Sequence, residues 1–140
     1  MAASELLRDV LGVKEATGSS MNVHQLVQQG LLKKNAEKFF RRSVHGPVSY
    51  RQLRQSVIPE STWKKTHARL SPELSEKVAR ISRLMAMAIE ALGDEASALE
   101  WMLRPHSELD YNVPATLLKT EAGARAVEGI LAKLLYGLPV

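Results

Sequence analysis

The stretch from Ser71 to Gly93, SPELSEKVARISRLMAMAIEALG, constrains this chain more than any other. Ser71 is a good N-cap, Pro72 suits the first helical position, and Glu73 sits where the helix dipole favours an acid. Gly93 supplies the residue that most easily ends a helix in a left-handed conformation. In between, Leu74, Val78, Ile81, Met85, Ala88, Ile89 and Leu92 recur as one apolar stripe. Such a helix is about 30 Å long, enough to span both halves of a 140-residue molecule, so the other elements must pack along it. Its second face carries Glu76, Arg80, Arg83 and Glu90, interrupted by Ala79, Ala86 and Met87. Met87 reads there as a scattered surface residue, which needs no special explanation.

Downstream, a short helix is predicted from Asp94 to Leu103, closed by Pro105, followed by a loop to Pro114 and a helical turn over 115–118. Thr120 caps a last helix that runs to Tyr136 and stops at Gly137. Its stripe is Val127, Ile130, Leu131, Leu134 and Leu135, with Gly129 expected to admit a close neighbour. Upstream, Leu26, Val27, Leu31, Leu32, Phe39 and Phe40 predict two short helices broken at Gly30. No stretch reads as a strand, so the fold class is all-α. Three segments are expected: a flexible N-terminal segment over 1–21, ending in EATGSS; a helical module over 22–70; and a helical bundle over 71–140. SELLRDVLGV, within the first, suits a helical turn or two.

Charge divides the chain along the same line. Residues 21–70 hold ten Lys and Arg against two acids, whereas residues 71–140 hold seven against ten. A concentrated positive field attracts polyanions, which makes nucleic acid the first candidate partner of the basic half. No apolar run reaches the roughly 18 residues a membrane span needs, and Glu5, Arg8 and Asp9 interrupt the region where a secretory signal keeps its apolar core. The absence of cysteine agrees with a reducing cytoplasm and leaves no disulfide or thiolate metal site.

Within the basic half, Ser49 caps one short helix, Val57-Ile58-Pro59 makes a turn, and a second helix opens at Glu60 or Ser61 and is predicted to reach Arg69. Two short helices joined by a tight turn define a helix-turn-helix. Trp63, Thr66, His67 and Leu70 share one face of the second helix, so Trp63 and His67 are expected to be structural. The opposite face, Ser61, Thr62, Lys64, Lys65, Ala68 and Arg69, is entirely small or cationic. Small side chains let a backbone approach base edges, and cations reach guanine or phosphate; Ser61, Thr62, Lys64 and Lys65 are the base-facing candidates and Arg69 the phosphate-facing one. Half-site reading would favour a homodimer.

Nothing marks a catalytic site. His24, His45, His67 and His106 are too widely spaced for a local metal motif, and the glycines are scattered rather than gathered into a phosphate loop. Asp94, Glu95 and Glu100 read as a solvated helix face. The expectation is a binding protein that uses neither cofactor nor metal.

The segments LSPELSEKVARISRLMAMAIEALGD, ALEWMLRPHSEL and VPATLLKTEAGARAVEGILAKLLYG, in this order and spacing, resemble the Xre/MbcA/ParS family of bacterial antitoxins, over about residues 24–138. The loop HSELDYNVP departs from that pattern in lacking the glycine often found before its proline. The resemblance implies an all-α protein with a toxin partner of the NAD-destroying RES type and operator DNA bound through the helix-turn-helix. It also implies a toxin-facing surface in the acidic half, for which Trp101, Arg104, Tyr136 and the tail Gly137, Leu138, Pro139 and Val140 are the candidates. A helix-turn-helix repressor without a toxin, and a helical scaffold without DNA, are the competing readings.

Overall fold

The structure, a computed structural model, describes residues 3–12 and 20–138. In chain order the helices are α1 (Ala3–Leu11), α2 (Ser20–Gln29), α3 (Lys33–Phe40), α4 (Tyr50–Val57), α5 (Glu60–Lys64), α6 (Pro72–Leu92), α7 (Glu95–Met102), α8 (Pro114–Leu117) and α9 (Glu121–Leu135), with a 3-10 turn over Ser107–Leu109. Among the described residues the only β-type pairings are two isolated bridges, Leu32 with Arg69 and His106 with Asn112. The fold is all-α.

α6 is the spine that its sequence predicts. Ser71 Oγ accepts the Leu74 amide at 3.1 Å, Pro72 opens the helix, and Gly93 ends it at φ 95° with its amide on the Ile89 carbonyl at 2.8 Å. α1, α2, α4, α7 and α9 all pack against it. Nearly all the buried apolar residues, from Leu6 to Leu131, form one cluster, so the basic and acidic segments share a core.

Five details differ from the sequence reading. Residues 3–11, expected within a flexible segment, form α1, whose Leu6 and Val10 are buried as the helix lies against α6 and α3. Met87 is half-buried against the core edge, and Arg80 is buried, bound to Glu121 at 3.1 Å and to the Leu118 carbonyl at 3.0 Å. On α9 only Ala124, Val127 and Leu131 are buried, a narrower stripe than predicted. The close approach expected at Gly129, where space is open, occurs at Gly123: a Cβ there would lie 2.0 Å from the Leu117 carbonyl oxygen.

The α2–α3 break at Gly30 follows the sequence, and the structure adds its purpose. Gly30 has φ 88°, and a Cβ would meet the Leu70 carbonyl at 2.4 Å. The chain after α5 runs alongside: Leu70 N–H donates to Leu31 O at 2.8 Å and Lys33 N–H to Ala68 O at 2.9 Å. Ser75 Oγ, buried in α6, accepts the Leu31 amide at 2.8 Å and donates to Leu70 O at 3.4 Å, joining both segments to the spine.

Candidate functional site

The first candidate surface is the α4–α5 pair. α4 begins with a capping box: Ser49 Oγ takes the Gln52 amide while Gln52 Oε1 takes the Ser49 amide. The pair is closed by Arg54, buried on α4, whose guanidinium donates to Glu60 at 2.6 Å and lies 5.0 Å from the Trp63 ring centroid. Its hydrogen bond holds the Glu60 carboxyl below the usual range. Trp63 is a core residue, as predicted, meeting Phe40 edge-to-face at 5.8 Å. His67, expected at the apolar border, is exposed instead.

α5 is shorter than its sequence suggests. It stops at Lys64 rather than near Arg69, because the distant Lys33 and the local Thr66 hydroxyl take over its C-terminal carbonyls. Lys33 Nζ donates to the Trp63 and Thr66 carbonyls at 3.4 and 3.2 Å, Thr66 Oγ1 donates to the Trp63 carbonyl at 2.6 Å, and residues 68–70 pair with 31–33. A five-residue helix is only about 7.5 Å long. Ser61, Thr62, Lys64 and Lys65 nevertheless all face solvent. Arg69 is exposed too, but one guanidinium nitrogen is held by the Gly30 carbonyl at 2.8 Å.

Among the described residues, unpaired cations occur in this region, as they do at Lys34 and Lys38 of the same half. Lys33, Arg41, Arg42, Arg51 and Arg54 are each matched to Glu37, Glu95 or Glu60. Lys64, Lys65 and Arg69 have no carboxylate partner among the described residues, so their field is uncompensated locally.

The second candidate surface is the C-terminal part. The large apolar side chains most exposed among the described residues are Tyr111 (75%), Leu134 (37%), Tyr136 (77%) and Leu138 (55%), and all four lie there. α9 ends in a Schellman turn: Gly137 at φ 66°, its amide on Leu134 O at 3.4 Å, and the Leu138 amide on Lys133 O at 2.8 Å. In that motif the residue after the glycine usually packs against the one whose carbonyl it binds. Here that position is Lys133, which offers no apolar body of the usual kind, and Leu138 stays in solvent.

Other candidates from the sequence fare differently. Trp101 is 8% exposed, its ring stacked on His106 at 4.7 Å while His106 Nε2 meets the Trp101 carbonyl at 2.8 Å. It belongs to the core, a correction to its expected place on the surface. Arg104 is exposed and loosely paired with Glu100 at 3.7 Å. Pro139 and Val140 lie outside the described residues. Glu95, expected on a solvated face, is half-buried: Arg42 donates to it through Nε and Nη2 at 2.9 and 3.3 Å, and the Tyr50 hydroxyl donates to it as well. Burial raises its pKa, but these hydrogen bonds outweigh burial and hold the carboxyl below its ordinary value.

Sequence reasoning misses the turn after α7. Asp110 (φ 53°) and Tyr111 (φ 62°) are the non-glycine residues with positive φ among the described residues, and the Asn112 amide closes on Leu109 O at 2.9 Å. An i to i+3 hydrogen bond with positive φ at both central positions defines a type I′ turn. Its second central position favours glycine; holding another residue there costs about 1–2 kcal/mol. The missing glycine in HSELDYNVP is the one sequence signal of this geometry.

A groove of about 440 Å³ is lined by Val23, Val27 and Ala79 together with Arg80, Arg83 and Glu121. These arginines are bound to Glu121 and Glu128, and no group of three His, Asp or Glu suited to a metal occurs among the described residues. No described helix is long and apolar enough to cross a membrane.

Comparison with known proteins gives these surfaces a context. Residues 87–137 match the family described as the antitoxin Xre/MbcA/ParS C-terminal toxin-binding domain. The chain is 38% identical over 90 residues to Antitoxin Xre of Yersinia enterocolitica, covering 61% of each chain. It is 35% identical over 65 residues to Antitoxin Xre of Photorhabdus laumondii, covering 46% of this chain and 44% of that protein. It is 26% identical over 134 residues to Antitoxin Xre of Pseudomonas putida, covering 94% of this chain and 81% of the other. The chain thus spans less than two thirds of the length of the first two relatives in these alignments.

Proposed function

We propose, from the match of residues 87–137 to the Xre/MbcA/ParS antitoxin toxin-binding domain, that this chain is an antitoxin: a binding protein, not an enzyme, that holds a toxin inactive. The toxin is of the RES type, which destroys NAD. The end of α9, with Tyr136, Gly137, Leu138 and the following Pro139 and Val140, reaches into its substrate pocket and occludes it. Ser61, Thr62, Lys64 and Lys65 face operator DNA, with Arg69 at phosphate, and a homodimer reads two half-sites in the cytoplasm.

The observation that carries this reading is the separation of the two surfaces. The unpaired cations of the α5 region lie in the basic half, while the most exposed large apolar side chains lie in and just past the segment that matches the toxin-binding family. One segment therefore suits a polyanion and the other a protein.

Co-expression tests it. The product of the reading frame beside this gene should arrest growth when expressed alone, and this chain should restore growth. Deleting residues 138–140 should reduce the rescue. Undiminished rescue by the deleted chain would remove occlusion by the tail. Absence of any rescue would remove the antitoxin role and leave a repressor without a toxin.

A further inference from the structure

Tyr111 occupies a costly position without any visible return inside the molecule. It sits where a type I′ turn favours glycine, and its ring is 75% exposed. Its hydroxyl has no hydrogen-bond partner among the described residues, so no side-chain hydrogen bond offsets the left-handed backbone. Asp110, at the first central position, is a residue type common in such turns; Tyr111 is not.

The turn beneath it is firmly held. His106 and Asn112 form an antiparallel bridge, the Tyr111 amide donates to His106 O at 2.8 Å, and Asn112 Nδ2 donates to Leu109 O at 2.9 Å. Leu109 is buried, and His106 is stacked on Trp101 of α7. A tyrosine on such a base is displayed rather than loose. It has few side-chain rotations to lose, and an aromatic anchor of this kind is the residue type over-represented at interface hot spots.

The surroundings indicate what it meets. From Ser107 to Asn112 the segment carries two exposed carboxylates, Glu108 and Asp110, and no cation. It also lies within the residues that match the toxin-binding domain.

We propose that the Asp110–Tyr111 turn is a second recognition element for the toxin, with the Tyr111 ring entering an apolar pocket on the toxin surface rimmed by basic side chains that face Glu108 and Asp110. This rests on the antitoxin reading and adds to it a contact distinct from the end of α9. The turn selects which toxin is bound, while the tail acts on the toxin's pocket.

The test uses the full chain and the purified product of the adjacent reading frame. Tyr111→Gly removes the ring and relieves the backbone, so its melting temperature should be unchanged or higher while affinity falls roughly thirtyfold, the effect typical of a hot spot. Tyr111→Phe should retain most of the affinity, and Glu108→Lys should slow association, most clearly at low salt. Parent-like binding by Tyr111→Gly would overturn the proposal and leave the antitoxin reading intact. A marked fall in its melting temperature would also overturn it, since the ring would then be structural. If the parent chain itself fails to bind, both readings fall together.

Discussion

Ser75 shows how much one hydroxyl can organise. It is fully buried on the spine and satisfies the Leu31 amide, so Ser75→Ala leaves a buried donor unpaired and should cost about 1–3 kcal/mol in urea denaturation. Ser71→Ala, which removes only an exposed cap, should cost about 1 kcal/mol. Equal destabilisation in the two variants would show that the Leu31 amide finds another partner. The sequence marks Ser71 plainly, because a cap is read from its neighbours. Ser75 gives no such sign: its partner is 44 residues away. The same holds for Arg80, which reads as a surface charge until its burial against Leu118 is seen.

Helices whose ends are fixed locally are legible in the sequence, and those fixed from a distance are not. α6 and α9 start at Ser71 and Thr120 and finish near Gly93 and Gly137, as their sequences predict. The sequence of α5 reads several residues too long, because the ammonium of Lys33 and the strand-like pairing of 31–33 with 68–70 overrule its local propensity. Lys64 and Lys65, at and just past the end of α5, are exposed. Lys64→Ala with Lys65→Ala should weaken operator binding and flatten the dependence of log K on log salt by about one unit for each phosphate that is no longer neutralised. A slope identical to that of the parent chain would place DNA elsewhere or nowhere. On the second surface the sequence locates the end of α9 but misjudges Trp101, whose stacking on His106 is a property of the folded loop.

The acid dependence of the assembled chain should report on the junction where the end of α3 and the starts of α4 and α7 meet. Arg42 and Tyr50 hold the Glu95 carboxyl below its ordinary value of 4.5, and Asp94 and Glu60 are shifted the same way by the Ser97 amide and by Arg54. A carboxyl with a lower pKa when folded binds protons more readily when unfolded. Its contribution is complete above the ordinary value and disappears as pH falls through the lower folded one. Glu95→Gln should cost about 2 kcal/mol at pH 7 and show a shallower decline of stability in acid. A parent-like acid profile in that variant would assign the sensitivity to Glu60 and Asp94 instead.

The spine has a last consequence, for how such a protein can change over generations. Helices from both halves cover α6, and one buried cluster draws on residues from both. A recombination event that grafted a foreign N-terminal half onto Pro72 would bare apolar surface along the graft. Substitution at exposed positions should therefore be better tolerated than exchange of a whole half.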